Sequence, residues 1–248
     1  MELFILGVES PYPRRGRATL GYTLMQEGFL LVLETGFGIH RRLAEEGLLD
    51  RVEGILLSHL HCDHSADLPA VILGVTVGRG RKEPLPVYLP PGEVARLREW
   101  LCACGFAFVL EHTDLRELAY DEPTAIGPFR VTMGRAAHSL PAGIFTFTAA
   151  GTKFVYTGDT GDCPPLRAAI PGADLLLAEA TPLRPEEAAV KGHLTAPALG
   201  EMARAAGVRR LVITHFMPGE EPAALAEKAT VAFGAPVTAA EEGLHLVI

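Results

Sequence analysis

Residues 52–64, VEGILLSHLHCDH, constrain the fold of this chain more than any other segment. The first seven form a short apolar run of the kind that becomes a buried strand. At its end stand His59, His61, Asp63 and His64, which include three of the nine histidines of the chain. In an extended segment residues two apart face the same side, so His59 and His61 are expected to point at one metal. Asp63 and His64 follow where the chain can turn, and are expected to aim at a second metal nearby. Imidazole and carboxylate suit zinc, manganese or iron. Without a cation, such a cluster at the end of an apolar strand would be costly to bury.

Four ligands do not complete two catalytic metal sites, so the rest must come from elsewhere. Three later residues have the same context. His138 ends FRVTMGRAAH, Asp159 ends KFVYTGD and His215 ends RRLVITH. A sheet sets such strand ends along one edge, where positions distant in sequence converge. The pattern of apolar runs predicts strands at 3–8, 52–58, 85–90, 106–112, 129–139, 174–180 and 209–215. It predicts hairpins over 19–35, turning at Glu27-Gly28, and over 143–159, turning at Gly151-Thr152. Helices are expected at 38–48, 65–77, 91–104, 195–208 and 221–233, with Thr195 as the N-cap of the fourth. Strands thus come in hairpins as well as in αβ units. This favours an α/β (α+β) fold of two mixed sheets with helices packed outside over one doubly wound sheet.

Length and composition agree. A chain of 248 residues that is 48% apolar can build a substantial core. No linker divides it, so residues 1–248 are expected to form a single domain. No apolar run is long enough to span a bilayer. The start lacks a basic segment and a cleavage site, which points to the cytoplasm. There the four cysteines (Cys62, Cys102, Cys104 and Cys163) are expected to be reduced thiols. The formal net charge of −8 argues against a large nucleic-acid footprint.

HxHxDH, the strand-end His138, the TGDT aspartate and the THF histidine together resemble the metallo-β-lactamase superfamily. The resemblance covers nearly the whole chain and implies a four-layer αββα sandwich. It implies that His59, His61 and His138 hold one divalent ion, that Asp63, His64 and His215 hold a second, and that Asp159 bridges them. Zinc is the expected metal, with manganese or iron as alternatives. Glu34, in LETGFG, stands where relatives carry Asp, and a supporting role is expected for it.

A narrower likeness points to the ribonuclease Z branch. LAEATPL (177–183) resembles its Glu-Ala-Thr motif, and GHLTA (192–196) its His-Ser-Thr motif with Leu194 in place of Ser. This implies a catalytic pair, Glu179 and His193, beside the leaving group, with Asp63 as an orienting group and proton acceptor. The long arm with which that branch grips transfer RNA has no counterpart, because only a hairpin separates His138 from Asp159. The expectation is therefore a dinuclear hydrolase acting on a small phosphodiester or nucleotide, with structured RNA disfavoured and a homodimer left open. The alternatives are a ribonuclease Z-like endonuclease and a thioester, lactone or β-lactam hydrolase. Arg14, Arg15 and Arg17 of the first loop are candidates to meet a phosphate.

Overall fold

A computed structural model describes residues 1–78, 80–181, 187, 191–219 and 221–248. Fourteen strands among them form two seven-stranded sheets. The first sheet holds β1 (Glu2–Gly7), β2 (Gly21–Gln26), β3 (Phe29–Leu33), β4 (Val52–Leu56), β5 (Leu85–Leu89), β6 (Thr113–Glu117) and β14 (His245–Val247). Its order is β14-β1-β2-β3-β4-β5-β6. The second holds β7 (Pro123–Ile126), β8 (Phe129–Arg135), β9 (Gly143–Ala149), β10 (Thr152–Tyr156), β11 (Leu175–Glu179), β12 (Leu211–Thr214) and β13 (Thr238–Ala239). Its order is β13-β12-β11-β10-β9-β8-β7. Both sheets are mixed. Strands β3 to β6 run parallel, as do β10 to β13, while hairpins supply the antiparallel pairs other than β1 with β14.

The central strands β3, β4, β11 and β12 read as nearly continuous apolar runs because both of their faces are buried. Along β3, Leu31 and Leu33 point into the layer between the sheets, while Leu30 and Val32 point outward. The inner layer joins Leu3, Ile5, Tyr22 and Leu24 to Phe129, Phe145, Phe147 and Phe154 of the second sheet. Burying each such side chain contributes about 1.5–3 kcal/mol. Outside the first sheet pack α1 (Ile39–Glu45), through Ile39 and Leu43, and α3 (Leu68–Leu73), through Leu68, Val71 and Ile72. Helix α4 (Glu93–Ala103) joins them through Leu97 and Leu101. A single turn, α2 (Cys62–Ser65), precedes α3. Over the second sheet lie α5 (Pro164–Ala169), α6 (Ala196–Ala205) and α7 (Pro222–Phe233). The layers are those of a four-layer αββα sandwich.

Two expectations fail locally. Residues 106–112 are not a strand. Ala107–His112 form a 3-10 helix in which only Val109 is buried, and the strand is the following Thr113–Glu117. Phe106 and Phe108 made the segment look like a core strand, but both rings are exposed. The 143–159 hairpin turns at Ala150-Gly151, both at positive φ, one residue before the position expected. Thr195 does stand at the N-cap of α6 in extended conformation, but its side chain makes no capping hydrogen bond.

Candidate metal centre

The fold delivers the predicted ligands by one device. Strands β4, β8, β10 and β12 all end at the same edge of the sandwich, and the segment after each carries ligand-type residues. His59 and His61 lie in the extended stretch after β4, and Asp63 and His64 lie on α2. His138 follows β8, Asp159 follows β10 and His215 follows β12. The first sheet therefore contributes four of these side chains and the second sheet three.

The distances sort them into two groups that meet at Asp159. His59 Nε2 lies 2.9 Å from His61 Nδ1, which lies 3.2 Å from His138 Nε2. Four potential ligand atoms, one each from His59, His61, His138 and Asp159, fall within 4.8 Å of one another. Asp63, His64 and His215 form a second such group. Asp159 reaches into both, with Oδ2 4.0 Å from His59 Nε2 and 3.1 Å from His215 Nε2, and Oδ1 3.4 Å from His64 Nε2.

These residues fit metal ions. Ligands about 2.0–2.1 Å from a tetrahedral zinc stand roughly 3.3–3.4 Å apart, close to the spacing of the histidine nitrogens. Nε2 of His64 and of His215 are buried and, among the described residues, make no well-directed hydrogen bond, although Asp159 oxygens lie 3.4 and 3.1 Å away. Buried polar atoms are rarely left so, and both face the carboxylates of the site. The electrostatics agree. Burial, aided by neighbouring imidazoles, holds His59 well below its ordinary pKa and lowers His61. Burial also lowers His138, so the first group offers neutral imidazoles. At His64 burial is outweighed by Asp159, Asp63 and Glu34, which raise its pKa well above the ordinary value. At His215 burial is outweighed chiefly by Asp159, which raises it to about 9. Burial works against the Asp159 carboxylate, but His215 and His64 hold it well below the ordinary range. Without metal the second group therefore carries protons where a cation fits, and a bound metal would displace them.

A layer of hydroxyls and carboxylates fixes the rings. Thr181 Oγ1 donates to Glu179 Oε2 at 2.5 Å, so toward His215 it can only accept, from Nδ1–H at 3.0 Å. That turns His215 Nε2 toward the site. His138 Nδ1–H donates to the Gly192 carbonyl at 3.3 Å, which frees its Nε2 in the same way. Ser58 Oγ lies 3.0 Å from His59 Nδ1. Glu34 accepts the Ser58 N–H and the Tyr156 hydroxyl, with His64 Nδ1 at 3.5 Å from its Oε1. Ser10 Oγ donates to Asp63 Oδ2 at 2.8 Å. Of these supports only Glu34 was anticipated. Thr181 sits inside the Glu-Ala-Thr motif, which could have flagged it, whereas Ser10, Ser58 and Tyr156 carry no local signal.

Glu179 and His193 do meet. Glu179 is buried at the end of β11 and accepts the Thr160 N–H at 2.7 Å. Its two oxygens lie 3.0 and 2.8 Å from His193 Nδ1. One atom of His193 also lies within 4.8 Å of atoms from Asp159 and His215, so the ring borders the second group. Pro182 and Leu183, which complete the LAEATPL stretch, lie outside the described residues. The Arg14 guanidinium is held by buried Glu9 at 2.6 and 2.7 Å.

Residues 31–216 match the family model described as the Beta-lactamase superfamily domain. The chain belongs to the beta-lactamase superfamily. Among its superfamily relatives is a ribonuclease Z of Methanothermobacter thermautotrophicus, 28% identical over 87% of this chain and 86% of the relative. The metallo-β-lactamase fold protein YhfI from Bacillus subtilis superposes with a TM-score of 0.88 at 23% identity, covering 99% of this chain and 98% of YhfI. A diphosphatase from the PhnP family superposes with a TM-score of 0.77 at 17% identity, covering 100% of this chain and 97% of that one. The superfamily's metallo-β-lactamase fold is thus the fold of this protein.

Proposed function

We propose that the protein hydrolyses a phosphodiester bond in a small substrate, with two divalent ions held by the seven residues above. The observation that carries the reading is the Glu179–His193 pair beside the ligand cluster, an acid group in addition to the metal ligands. In this reading His59, His61 and His138 hold one ion, Asp63, His64 and His215 the other, and Asp159 spans both. The bound ions, zinc or alternatively manganese or iron, supply acidification of water at neutral pH and neutralisation of phosphoryl charge. His193 delivers the Nε2 proton to the departing alkoxide as the phosphorus–oxygen bond breaks and the water oxygen bonds to phosphorus. Glu179 accepts from Nδ1–H, turns Nε2 toward the substrate and stabilises the imidazolium before the transfer. Asp63, oriented by Ser10, holds its place in the second group and accepts the proton released from water.

The size of the substrate is inferred from the route between His138 and Asp159. It consists of a short loop, β9, a tight turn and β10, with no segment to grip a folded RNA. The relationship to ribonuclease Z favours a second reading, cleavage of RNA. The test is a panel of bis-p-nitrophenyl phosphate, cyclic nucleotides, precursor transfer RNA and a thioester, with metal content measured on the same preparation. Turnover of the small diesters with poor handling of precursor transfer RNA is expected. Efficient trimming of the RNA would favour the second reading, and turnover of the thioester alone would overturn both.

A further inference from the structure

The mouth of the site carries a charge pattern that the hydrolytic reading leaves unused. A cavity of about 770 Å³ opens over His61, His138 and His193. Its remaining wall is formed by residues 135–141 and by Lys191 and Gly192. Two cationic side chains, Arg135 and Lys191, line it, and among the described residues no Asp or Glu does. In a chain with 30 acidic and 22 basic residues this is a local reversal of sign. Several arginines elsewhere are engaged by carboxylates, as Arg81 is by Glu53 and Arg167 by Asp162. Among the described residues no carboxylate stands within ion-pair distance of Arg135 or Lys191.

Both cations are anchored to the machinery of the site. Arg135 is the last residue of β8, three positions before His138. Lys191 precedes Gly192, whose carbonyl accepts from His138 Nδ1–H, and is two positions from His193. Their backbones are therefore held by the same contacts that place the rings. A concave wall of one sign concentrates field lines and anionic ligands.

We infer that Arg135 and Lys191 form a subsite for a second phosphate, carried by the alcohol that leaves. The inference rests on the phosphodiesterase reading only for its orientation, since His193 on the same wall marks the leaving-group side. The substrate class is a phosphodiester whose leaving alcohol bears its own phosphate monoester. The guanidinium suits two phosphate oxygens at once, while the lysine adds a point charge.

The test is calorimetric binding to the metal-loaded protein of adenosine 5′-monophosphate and of adenosine 3′,5′-bisphosphate. The wild type is expected to bind the bisphosphate at least about tenfold more tightly, the worth of one or two charge-assisted hydrogen bonds. In the Arg135→Ala/Lys191→Ala variant the ratio should fall to near one. A Lys191→Gln variant, milder for folding, should lose at least about threefold of it. Equal affinity of the wild type for both ligands, or a ratio that survives both variants, overturns the subsite. Hydrolysis of bis-p-nitrophenyl phosphate by the wild type is scored separately. Its absence with the binding ratio intact would sink the phosphodiesterase reading and leave the anion subsite standing.

Discussion

Single hydroxyls and one glycine hold the candidate centre together. Ser10 Oγ bonds the same Asp63 oxygen that lies 3.8 Å from His64 Nε2 and 3.7 Å from His215 Nε2. Ser10→Ala should therefore weaken the second ion several-fold and spare the first, and stepwise metal titration would show it; equal loss of both ions would contradict the assignment. Gly192 sits at φ +72°, and a Cβ there would lie 2.3 Å from the Ala137 carbonyl oxygen. No side chain fits without pushing the His193 loop off the His138 loop. His193→Ala should keep both ions and slow kcat by roughly 10²–10⁴-fold for an alkoxide leaving group. It should slow p-nitrophenolate release far less, because that anion departs without a proton. Comparable losses on both substrates would make His193 a phosphate-binding group instead, and loss of metal would make it a ligand. At this scale the sequence is most legible for histidines and carboxylates, because few other roles explain them at strand ends. Ser10 and Ser58 were not legible, since a hydroxyl acquires its role only from the partner that tertiary packing brings to it.

At the scale of elements, two buried tyrosines link the sheets. The Tyr22 and Tyr156 rings meet edge to face at 5.4 Å, and their hydroxyls reach Thr214 Oγ1 and Glu34 Oε1. Burial, as the largest cause, pushes both phenols well above the ordinary value of about 10. The folded state then keeps two protons that the unfolded chain releases, so this contribution is complete below about pH 10 and is lost as pH rises beyond it. Urea midpoints should accordingly fall more steeply above pH 10 for the wild type than for a Tyr22→Phe/Tyr156→Phe variant; parallel curves would show that neither phenol titrates with unfolding. The β2–β3 hairpin was legible because Glu27-Gly28, both at positive φ, is a two-residue turn suited to strand twist. The edge strands β6 and β7 were not. Half-exposed strands such as Thr113–Glu117 bury too little to show a period, and their pairing with β5 decides their conformation.

The whole molecule is a sandwich whose two halves meet at the centre. His59, His61, Asp63 and His64 belong to the first sheet, while His138, Asp159 and His215 belong to the second. Asp159→Ala should weaken both ions together, measurable by metal analysis after dialysis, and loss of one alone would show that the bridge is misassigned. A ligand at about 1,000 times its Kd adds about 4 kcal/mol to stability. Removing one such ion from a chain of this length should lower Tm by about 8–16 °C in calorimetry with and without chelator. An unchanged Tm would mean that the ions contribute nothing to the fold. The layered architecture was legible from alternating hairpins and αβ units, but the seam was not. There Phe216 N bonds the Val8 carbonyl and Ser10 N bonds the Phe216 carbonyl, drawing the chain after β12 onto the end of β1. His215 occupies φ +68° immediately before that seam. A proposed ligand is thus mounted on the joint between the halves, and metal affinity would become a strain gauge for the sandwich. A substitution far from the histidines that lets the halves slide by a fraction of an ångström would be felt first as a leaking cofactor, before any of the fold is lost.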